Sequence, residues 1–547
     1  MLLRRDESGA PFRARWAALV AVASGLTGLL AFPRFGLWPL AVVSVAGLSL
    51  AVHGRRCRTA AWLGLLYGAA FFVPLLSWTG TYVGPAPWLI LAAAEAGYYA
   101  GAGALLTLVQ RLRAAPLWIG AVWVLTEAVR DRGPFGGFPW GRLAFSQAES
   151  PLRWFAALGG APLVTFAVAT AGGGLALGIL ALRPDRRTFR AVVAGVAFLL
   201  AVPLLGAVLA WPLRPPPDSS GPTATIALVQ GNVPDAGLEF DARRRQVLDN
   251  HVTQTLALAQ RVKSGAVARP DLVFWPENSS DIDPYRNPDA ADQINKAVDA
   301  IGVPILVGAI VDGPGDNHDS NQGILWFPKT GPGAVYTKRH PVPWGEYIPL
   351  RGIARLVSSK VSLVPRDMIA GKGNGLLTGG PFEFGDVICF EVAYDSLVRS
   401  SVHAGAQLIV VQTNNATFGH TAETYQQLAM TELRAVEHGR TAVQVSTSGI
   451  SAVIGPDGTV RQRSGALFTP DVIVATVPLR TSETPATRLG PIPEYVLSGL
   501  ALIAAAVAVL SSPRGRAFIA RRTRRRADVD EIADQERVGI ARASAAD

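Results

Sequence analysis

The chain has little cysteine and little charge for its length. Cysteine occurs at two of the 547 positions, Cys57 and Cys389, which excludes a disulfide framework as the source of stability. Charged residues make up 17% and hydrophobic residues 49%, and the mean hydropathy is +0.27. These values lie between those of a soluble enzyme and those of a pure membrane protein. The composition therefore predicts a membrane-embedded chain that also carries a polar domain.

The net charge of +10 does not indicate a nucleic-acid partner. The arginines cluster in short loops beside the apolar runs and in the tail segment 514–526. That placement is typical of topology signals and of contacts with anionic lipids. We therefore expect a lipid bilayer, and no nucleic acid, among the partners.

The apolar residues form runs long enough to cross a bilayer, which takes roughly 17–25 residues per helix. About eight spans are predicted, near 14–32, 37–53, 60–79, 86–110, 115–130, 161–182, 190–212 and 494–511. The chain then divides into four parts: an N-terminal transmembrane domain of about seven helices (1–212), an α/β domain (213–493), a last transmembrane helix (494–511) and a basic tail (512–547). We expect the tail to be disordered.

Arginines mark alternate loops between the spans. Arg13 and Arg15 precede the first run, and Arg55 and Arg56 follow the second. Because positive residues stay on the cytoplasmic side, both termini are predicted to be cytoplasmic. The domain 213–493 is then predicted to lie outside the cytoplasm.

The loop 131–150, between two spans, is rich in glycine, proline and aromatic residues. Such a segment cannot be a lipid-exposed helix, because its backbone groups would lack partners. We expect a folded loop whose aromatic side chains lie at the depth of the lipid headgroups. For Glu95 and Glu127, which fall within spans, we favour structural roles.

The segment 213–493 alternates short β-rich runs with helical patterns such as 288–301 and 421–438. Continuous apolar strands such as 408–411 are typical of sheets that are covered on both faces. Two sheets flanked by helices are therefore the predicted architecture of this domain.

Three motifs stand at the ends of such strands. Glu277 follows an apolar strand and a proline, Lys338 follows the strand candidate 333–338, and Cys389 ends another apolar run. Acyl transfer needs a thiol, a carboxylate that removes its proton, and a cation that stabilises the tetrahedral oxyanion. Each residue alone is weak evidence, but together they supply these parts. No spacing in the sequence supports a metal site.

Glu277, Lys338 and Cys389, in this order and these contexts, resemble the Glu–Lys–Cys triad of the nitrilase superfamily. Further matching segments lie at 229–234, 137–140, 344–349, 412–415 and 434–440. With several spans before this block and one after it, the whole chain resembles the apolipoprotein N-acyltransferases, bacterial membrane-embedded members of that superfamily. The resemblance implies a nitrilase-like αββα sandwich on the extracytoplasmic face of the bacterial inner membrane, and no cofactor.

The resemblance also implies a reaction in two steps. Cys389 attacks an acyl ester of a membrane phospholipid and keeps the acyl chain as a thioester, with Glu277 as base and Lys338 stabilising the oxyanion. The α-amino group of a diacylglyceryl-cysteine apolipoprotein then takes the acyl chain. These implied partners are a phospholipid donor and an apolipoprotein acceptor.

Further site residues are expected from the same resemblance. Glu346 and Glu391 are expected to support Lys338 and the nucleophile loop. The stretch 350–380 is interpreted as a mobile lid. Substrate contacts are expected from four residues: Trp344, Phe390, Asn414 and Phe240.

Two alternatives remain open at the level of sequence. A membrane-tethered amidase of the nitrilase type would use the same triad with water as the acceptor. The second alternative is a transporter or a structural membrane protein with an inactive catalytic domain. Against it, all three triad residue types are intact, and the sequence shows no paired broken helices of the kind that mark transport sites.

Overall fold

The computed structural model describes residues 10–182, 186–213, 221–233, 244–315, 317–357 and 359–512. The basic tail predicted at 512–547 lies outside these residues except for its first position. The described residues form a domain of apolar helices, called here the helical domain, and an α/β domain.

Apolar helices lie at each of the predicted spans. They are α1 (Ala14–Ala31), α2 (Pro39–Val52), α3 (Cys57–Leu75), α4 (Pro85–Val109), α5 (Ala115–Arg130), α6 (Phe155–Leu180), α7 (Arg186–Ala210) and α14 (Ile492–Leu510). Within the described ranges, five helical segments are long and apolar enough to cross a membrane by themselves: those at α1, α3, α4, α6 and α14. The predicted count of about eight spans is therefore approximate.

Small residues let these helices approach closely. A Cβ atom added to Gly25 of α1 would lie only 2.4 Å from the carbonyl oxygen of Tyr67 on α3. A Cβ atom added to Gly64 of α3 would lie 1.9 Å from the carbonyl oxygen of Tyr99 on α4. Any residue larger than glycine would therefore push these helices apart. Glycine at these contacts is typical of helix packing in membranes. Lipid removes the hydrophobic driving force for helix association, so van der Waals contact between closely packed backbones takes its place. Glu95 pairs with Arg130 at 2.9 Å inside this bundle.

The α/β domain has two mixed sheets. The strands of the first are β1 (Thr223–Gln230), β2 (Leu272–Phe274), β3 (Ile305–Asp312), β4 (His318–Phe327), β5 (Gly331–Thr337), β6 (Asp367–Met368) and β13 (Asp471–Pro478). Those of the second are β7 (Leu376–Leu377), β8 (Phe384–Ile388), β9 (Leu408–Thr413), β10 (Thr441–Ser446), β11 (Ala452–Ile454) and β12 (Val460–Arg463). The orders are β13-β1-β2-β3-β4-β5, with β6 beside β4, and β12-β11-β10-β9-β8-β7.

Helices cover the outer faces of both sheets: α8 (Arg244–Lys263) and α9 (Pro288–Ile301) on the first, and α11 (Asp395–His403) and α12 (Glu423–His438) on the second. Two shorter helices, α10 (Arg351–Val357) and α13 (Pro485–Leu489), lie in the segments that connect these elements. Apolar side chains of the two sheets, such as Phe274 and Phe384, meet between them. Leu248 of α8 and Ile294 of α9 pack on the first sheet. The result is the layered αββα arrangement that the sequence predicts.

The second helix layer is continuous with the helical domain. Leu433 of α12 belongs to the same buried cluster as Phe145 of the loop 131–150 and Val168 of α6. That loop is folded, as expected, but its aromatic side chains do not all face lipid. Trp140 is 2% and Phe145 0% exposed, because the α/β domain covers them. The two domains therefore share one apolar core.

Candidate active site

The three predicted triad residues lie at or shortly after strand ends, and the structure brings them together. Glu277 comes shortly after β2, Lys338 directly after β5 and Cys389 directly after β8. Lys338 Nζ donates to Glu277 Oε1 at 3.1 Å, and both side chains are almost fully buried. The charges of both also act on the Cys389 thiol. The site thus combines a buried carboxylate and a buried cation with a thiol that is partly exposed.

Lys338 is held between two carboxylates. Its Nζ donates to Glu346 Oε1 at 2.7 Å as well as to Glu277. Burial by itself would lower the pKa of Lys338, but the charges of Glu277 and Glu346 outweigh it, so the pKa lies well above its ordinary value. Lys338 therefore stays protonated and can stabilise a developing oxyanion.

Glu277 receives hydrogen bonds on both oxygens. Asn321 Nδ2 donates to Oε1 at 2.7 Å, and the backbone N–H of Asn414 donates to Oε2 at 2.9 Å. Asn321 also donates to Glu346 at 3.2 Å. Sequence reasoning missed Asn321, because it lies within β4 and belongs to no motif. These donors fix the carboxylate in one orientation toward the site.

Cys389 has a left-handed backbone conformation, with φ of +55°. Such a conformation costs free energy for a residue other than glycine, and it is found mainly where a side chain must be aimed. Burial raises the pKa of the thiol; the charge of Glu277 raises it further, and that of Lys338 lowers it. The resting group is therefore a thiol, which has to lose its proton when it attacks.

Glu391 joins the segment that follows β5, at Lys338, to the end of β8, before Cys389. Its Oε1 accepts from the backbone N–H of Arg339 at 2.7 Å, and its Oε2 accepts from that of Ile388 at 2.9 Å. Burial raises the pKa of this carboxyl, and the hydrogen bonds oppose the shift. Glu391 thus contacts the backbone of both segments, as its expected supporting role requires.

The residues expected to contact substrate have different surroundings. Trp344 is 53% exposed. The Asn414 side chain accepts from Ala416 N and Thr447 Oγ1, so its oxygen is committed to the loop. Phe240 lies outside the described residues. For Trp344 and Asn414, as for Phe240, substrate contact stays a prediction.

Phe390, the residue after Cys389, is covered by the helical domain. It is 4% exposed and stacks on Trp140 with ring centroids 5.7 Å apart and on Phe138 at 5.3 Å. Trp140 Nε1 also donates to Gln426 Oε1 of α12 at 2.6 Å. The loop 131–150 therefore packs against the segment that contains Cys389. A substrate contact by Phe390 stays a prediction.

Buried ion pairs reinforce this contact. Arg142 of the loop and Arg434 of α12 both bind Asp395, at 2.8 and 2.7 Å. Arg434 also donates to the carbonyl oxygens of Val392 and Ala393, each at 2.9 Å. These carbonyls belong to the turn that begins at Cys389. Arg434 thus connects the domain interface to the turn that begins at Cys389.

Replacing Arg434 by methionine is expected to destabilise the protein by about 3–5 kcal/mol, because it leaves the buried Glu437 carboxylate without its cation. Asp395 keeps its pair with Arg142. Arg434 is itself fully buried. The matched control is Arg245→Met, whose pair with Asp249 is half exposed and should contribute no more than about 1 kcal/mol. Denaturant unfolding in detergent measures both. Equal losses in the two variants would contradict the prediction.

Glu423 of α12 is a third buried carboxyl near the thiol. Its Oε2 accepts from Asn415 Nδ2 at 2.8 Å. Burial raises its pKa to about 8, the charge of Glu277 adds to the shift, and the Asn415 hydrogen bond opposes it. In the unfolded chain the carboxyl ionises at its ordinary pKa of 4.5. Between pH 4.5 and about 8 the carboxyl is protonated in the folded protein but ionised in the unfolded chain. Because the folded state binds more protons over this range, the free energy of unfolding falls as the pH rises through it.

Glu423→Gln is therefore expected to raise the free energy of unfolding, by about 3 kcal/mol at pH 7. Glutamine has no proton to lose and can still accept from Asn415. The advantage should be small at pH 4.5, grow with pH and level off above about pH 8. Glu383→Gln, at an exposed carboxylate, is the control. An advantage of Glu423→Gln that does not change with pH would refute the assignment.

Among the described residues, no group of three His, Cys, Asp or Glu side chains is arranged to hold a metal ion.

Family models match two parts of the chain. One, described as the apolipoprotein N-acyltransferase N-terminal domain, matches residues 24–174, and one described as carbon-nitrogen hydrolase matches 225–485. The second match confirms the predicted nitrilase-like fold class. A crystal structure of an amidase from Nesterenkonia sp. is 19% identical with a TM-score of 0.35, covering 50% of this chain and 95% of that chain.

Curated relatives match most of the chain. The apolipoprotein N-acyltransferase of Mycolicibacterium smegmatis is 41% identical over 92% of this chain and 87% of its own length. That of Pseudomonas putida is 31% identical over 81% of this chain and 87% of its own length. Identity at this level, across both domains, confirms the resemblance seen in the sequence: the chain belongs to the apolipoprotein N-acyltransferase family.

Proposed function

We propose that this protein transfers an acyl chain from a membrane phospholipid to the α-amino group of the N-terminal diacylglyceryl-cysteine of apolipoproteins, through a thioester on Cys389. The observation that carries the proposal is the buried pair of Glu277 and Lys338 beside the thiol. The family and the fused helical domain support lipid-anchored substrates. The partners proposed are the phospholipid donor, the apolipoprotein acceptor and the bilayer.

In the first half-reaction, Glu277 takes the proton of Cys389 as the sulfur attacks the ester carbonyl carbon. The carbonyl oxygen becomes an oxyanion, which Lys338 Nζ stabilises. The intermediate then collapses: the C–O bond of the ester breaks, and the departing alkoxide takes the proton from Glu277. A lysophospholipid leaves, and the acyl chain stays on sulfur.

In the second half-reaction, the neutral amine attacks the thioester carbonyl. Glu277 removes a proton from the nitrogen, and Lys338 again stabilises the oxyanion. The C–S bond breaks with its electron pair on sulfur, which regains a proton from Glu277. The products are an amide and the free thiol, so the enzyme returns to its starting state.

Exposed apolar side chains beside the site support access from the bilayer. Trp344 is 53%, Leu350 65% and Leu363 45% exposed. Apolar groups placed in this way fit contact with acyl chains or with a membrane surface. They support the interpretation of the segment 350–380 as a lid.

The proposed location is the bacterial inner membrane, crossed several times, with both termini cytoplasmic. The α/β domain then faces the extracytoplasmic side. The placement of the arginines, including Arg55 and Arg56 after α2, supports this orientation. Both proposed substrates are lipid-anchored, so an active site that faces the outer leaflet suits them.

The test uses the full chain in nanodiscs that contain a phospholipid with an isotope-labelled acyl chain. A synthetic diacylglyceryl-cysteine peptide with a free amino group is the acceptor. We expect intact-mass spectrometry to show a gain of one labelled acyl chain, with one lysophospholipid released for each product. Release of labelled free fatty acid with unmodified peptide would instead identify a hydrolase and refute the transferase. Absence of both products would refute acyl chemistry at this site.

A further inference from the structure

Two side chains outside the triad reach the sulfur of Cys389 among the described residues. Thr413 Oγ1, at the end of β9, lies 3.3 Å from Sγ. Gln427 Nε2, on α12, lies 3.7 Å from it. Both side chains are fully buried. Because sulfur is a large acceptor, these distances are within hydrogen-bond range.

The hydrogen-bond network sets the orientation of Gln427. Its Oε1 accepts from Thr413 Oγ1 and from Asn415 Nδ2, each at 2.9 Å. Asn415 is itself fixed, because its Oδ1 accepts from Ser446 Oγ at 2.7 Å. Because these two donors fix the side-chain oxygen of Gln427, they also fix the position of its NH₂ group on the opposite side of the amide. That group therefore faces Sγ as a donor.

The hydroxyl of Thr413 has one hydrogen and two acceptors within reach. When Cys389 is a thiol, Thr413 can donate to Gln427 Oε1 and accept from the S–H group. When Cys389 is a thiolate, the hydroxyl can rotate and donate to the sulfur. Hydrogen bonds to a charged acceptor are about twice as strong as those between neutral groups. The arrangement therefore favours negative charge on sulfur.

We propose that Thr413 and Gln427 form a donor pair that stabilises the thiolate of Cys389. In the first half-reaction the S–H bond breaks, its proton goes to Glu277, and the electron pair on sulfur faces the two donors until the C–S bond forms. In the second, the C–S bond breaks and its electron pair returns to sulfur in the same position. Stabilising the thiolate that departs from the thioester rests on the proposed acyl transfer. Stabilising the thiolate before it attacks is a property of the thiol itself.

The electrostatics of the site agree with this geometry. Burial and the charge of Glu277 oppose thiolate formation, and the hydroxyl of Thr413 acts in the opposite direction, as does Lys338. A thiolate is the reactive form of cysteine, so groups that lower its free energy increase the fraction that can react. The donor pair is also placed to assist departure of the thiolate in the second half-reaction.

The test measures the acidity of the thiol without any lipid substrate. In a Cys57→Ser background, Cys389 is the remaining cysteine of the chain. The full-length protein, in detergent micelles free of phospholipid, is alkylated with iodoacetamide between pH 6 and 10, and the rate is followed by intact mass. Thr413→Val and Gln427→Leu should each raise the apparent pKa of the thiol by about one unit, which is about a tenfold slower reaction at a fixed pH. Thr413→Ser should restore the rate.

Thr431→Val is the matched control. Thr431 is buried on α12 and its hydroxyl bonds to Gln427 O and Gln444 Oε1, so the same substitution removes buried hydrogen bonds elsewhere in the site. Its alkylation profile should stay within about twofold of the parent. A Thr413→Val profile that matches the parent, or one that shifts no more than that of Thr431→Val, would overturn the proposal. Because no acyl donor is present, this result is independent of the mass assay for the proposed function.

Discussion

Cys389→Ser is expected to abolish acyl transfer, with a rate loss of at least about 10³-fold. A thiol ionises far more readily than a hydroxyl, and the thiolate is intrinsically the stronger nucleophile. In this site burial already disfavours the thiolate, so a hydroxyl, which is harder still to ionise, should not be activated by Glu277. Serine is close in shape to cysteine, and folding should be retained. Initial rates in the labelled-phospholipid assay measure the loss.

The same variant also tests the covalent intermediate. With the peptide acceptor omitted, the parent protein should gain the mass of one labelled acyl chain on the tryptic peptide that contains Cys389, and hydroxylamine should remove it. Cys389→Ser should show no such adduct. The matched control is Cys57→Ser, an exposed cysteine that should leave both the rate and the adduct unchanged. A serine variant that forms N-acyl peptide at a tenth of the parent rate would refute the nucleophile assignment.

The fold class and the three strand-end residues could be predicted because they depend on local patterns. Cys389 directly follows an apolar strand and Glu277 comes shortly after another, so hydrophobic runs locate both. The two-residue strands β6 and β7 could not be predicted, since a run of two residues has no periodicity. The helical spans were placed by hydropathy alone, which is also why their count is approximate.

The residues that sequence reasoning missed are those whose roles depend on tertiary contacts. Asn321 lies within β4, and Gln427 lies within α12. Several other residues of α12 are also polar, so the sequence does not distinguish Gln427 from them. Thr413 ends an apolar strand, where threonine is common. The same limit applies to the loop 131–150. Its composition indicates an interface, but a single sequence does not tell a lipid surface from the surface of the α/β domain.

The contacts of Phe390 and Arg434 indicate why the two domains belong to one chain. Phe390 follows the nucleophile and stacks on Trp140 of the helical domain. Arg434 binds the carbonyls of the same turn and reaches Asp395, where it meets Arg142 from the loop. The conformation of the nucleophile turn therefore depends on the docking of the helical domain. A separated α/β domain would lack these contacts.

Lys338→Met is expected to reduce acyl transfer by about 10²–10³-fold, the usual cost of losing one oxyanion donor. Two effects act in the same direction. The tetrahedral oxyanion loses its cation, and the Cys389 thiol loses the charge that lowers its pKa. Removal of the ammonium also leaves Glu277 and Glu346 facing each other with Asn321 Nδ2 between them. We therefore expect a lower free energy of unfolding as well.

The two consequences of Lys338→Met can be separated by experiment. Thermal unfolding of the variant in detergent gives its Tm. Acyl transfer is then measured well below that temperature, where the variant is folded. Lys263→Met, at an exposed lysine, is the control and should match the parent in both assays. If Lys338 stabilises the oxyanion, the loss of acyl transfer must exceed the loss in the rate of alkylation, because alkylation by iodoacetamide forms no oxyanion. Equal losses in the two reactions would mean that Lys338 acts only on the acidity of the thiol, and the oxyanion role would have to be assigned to another donor.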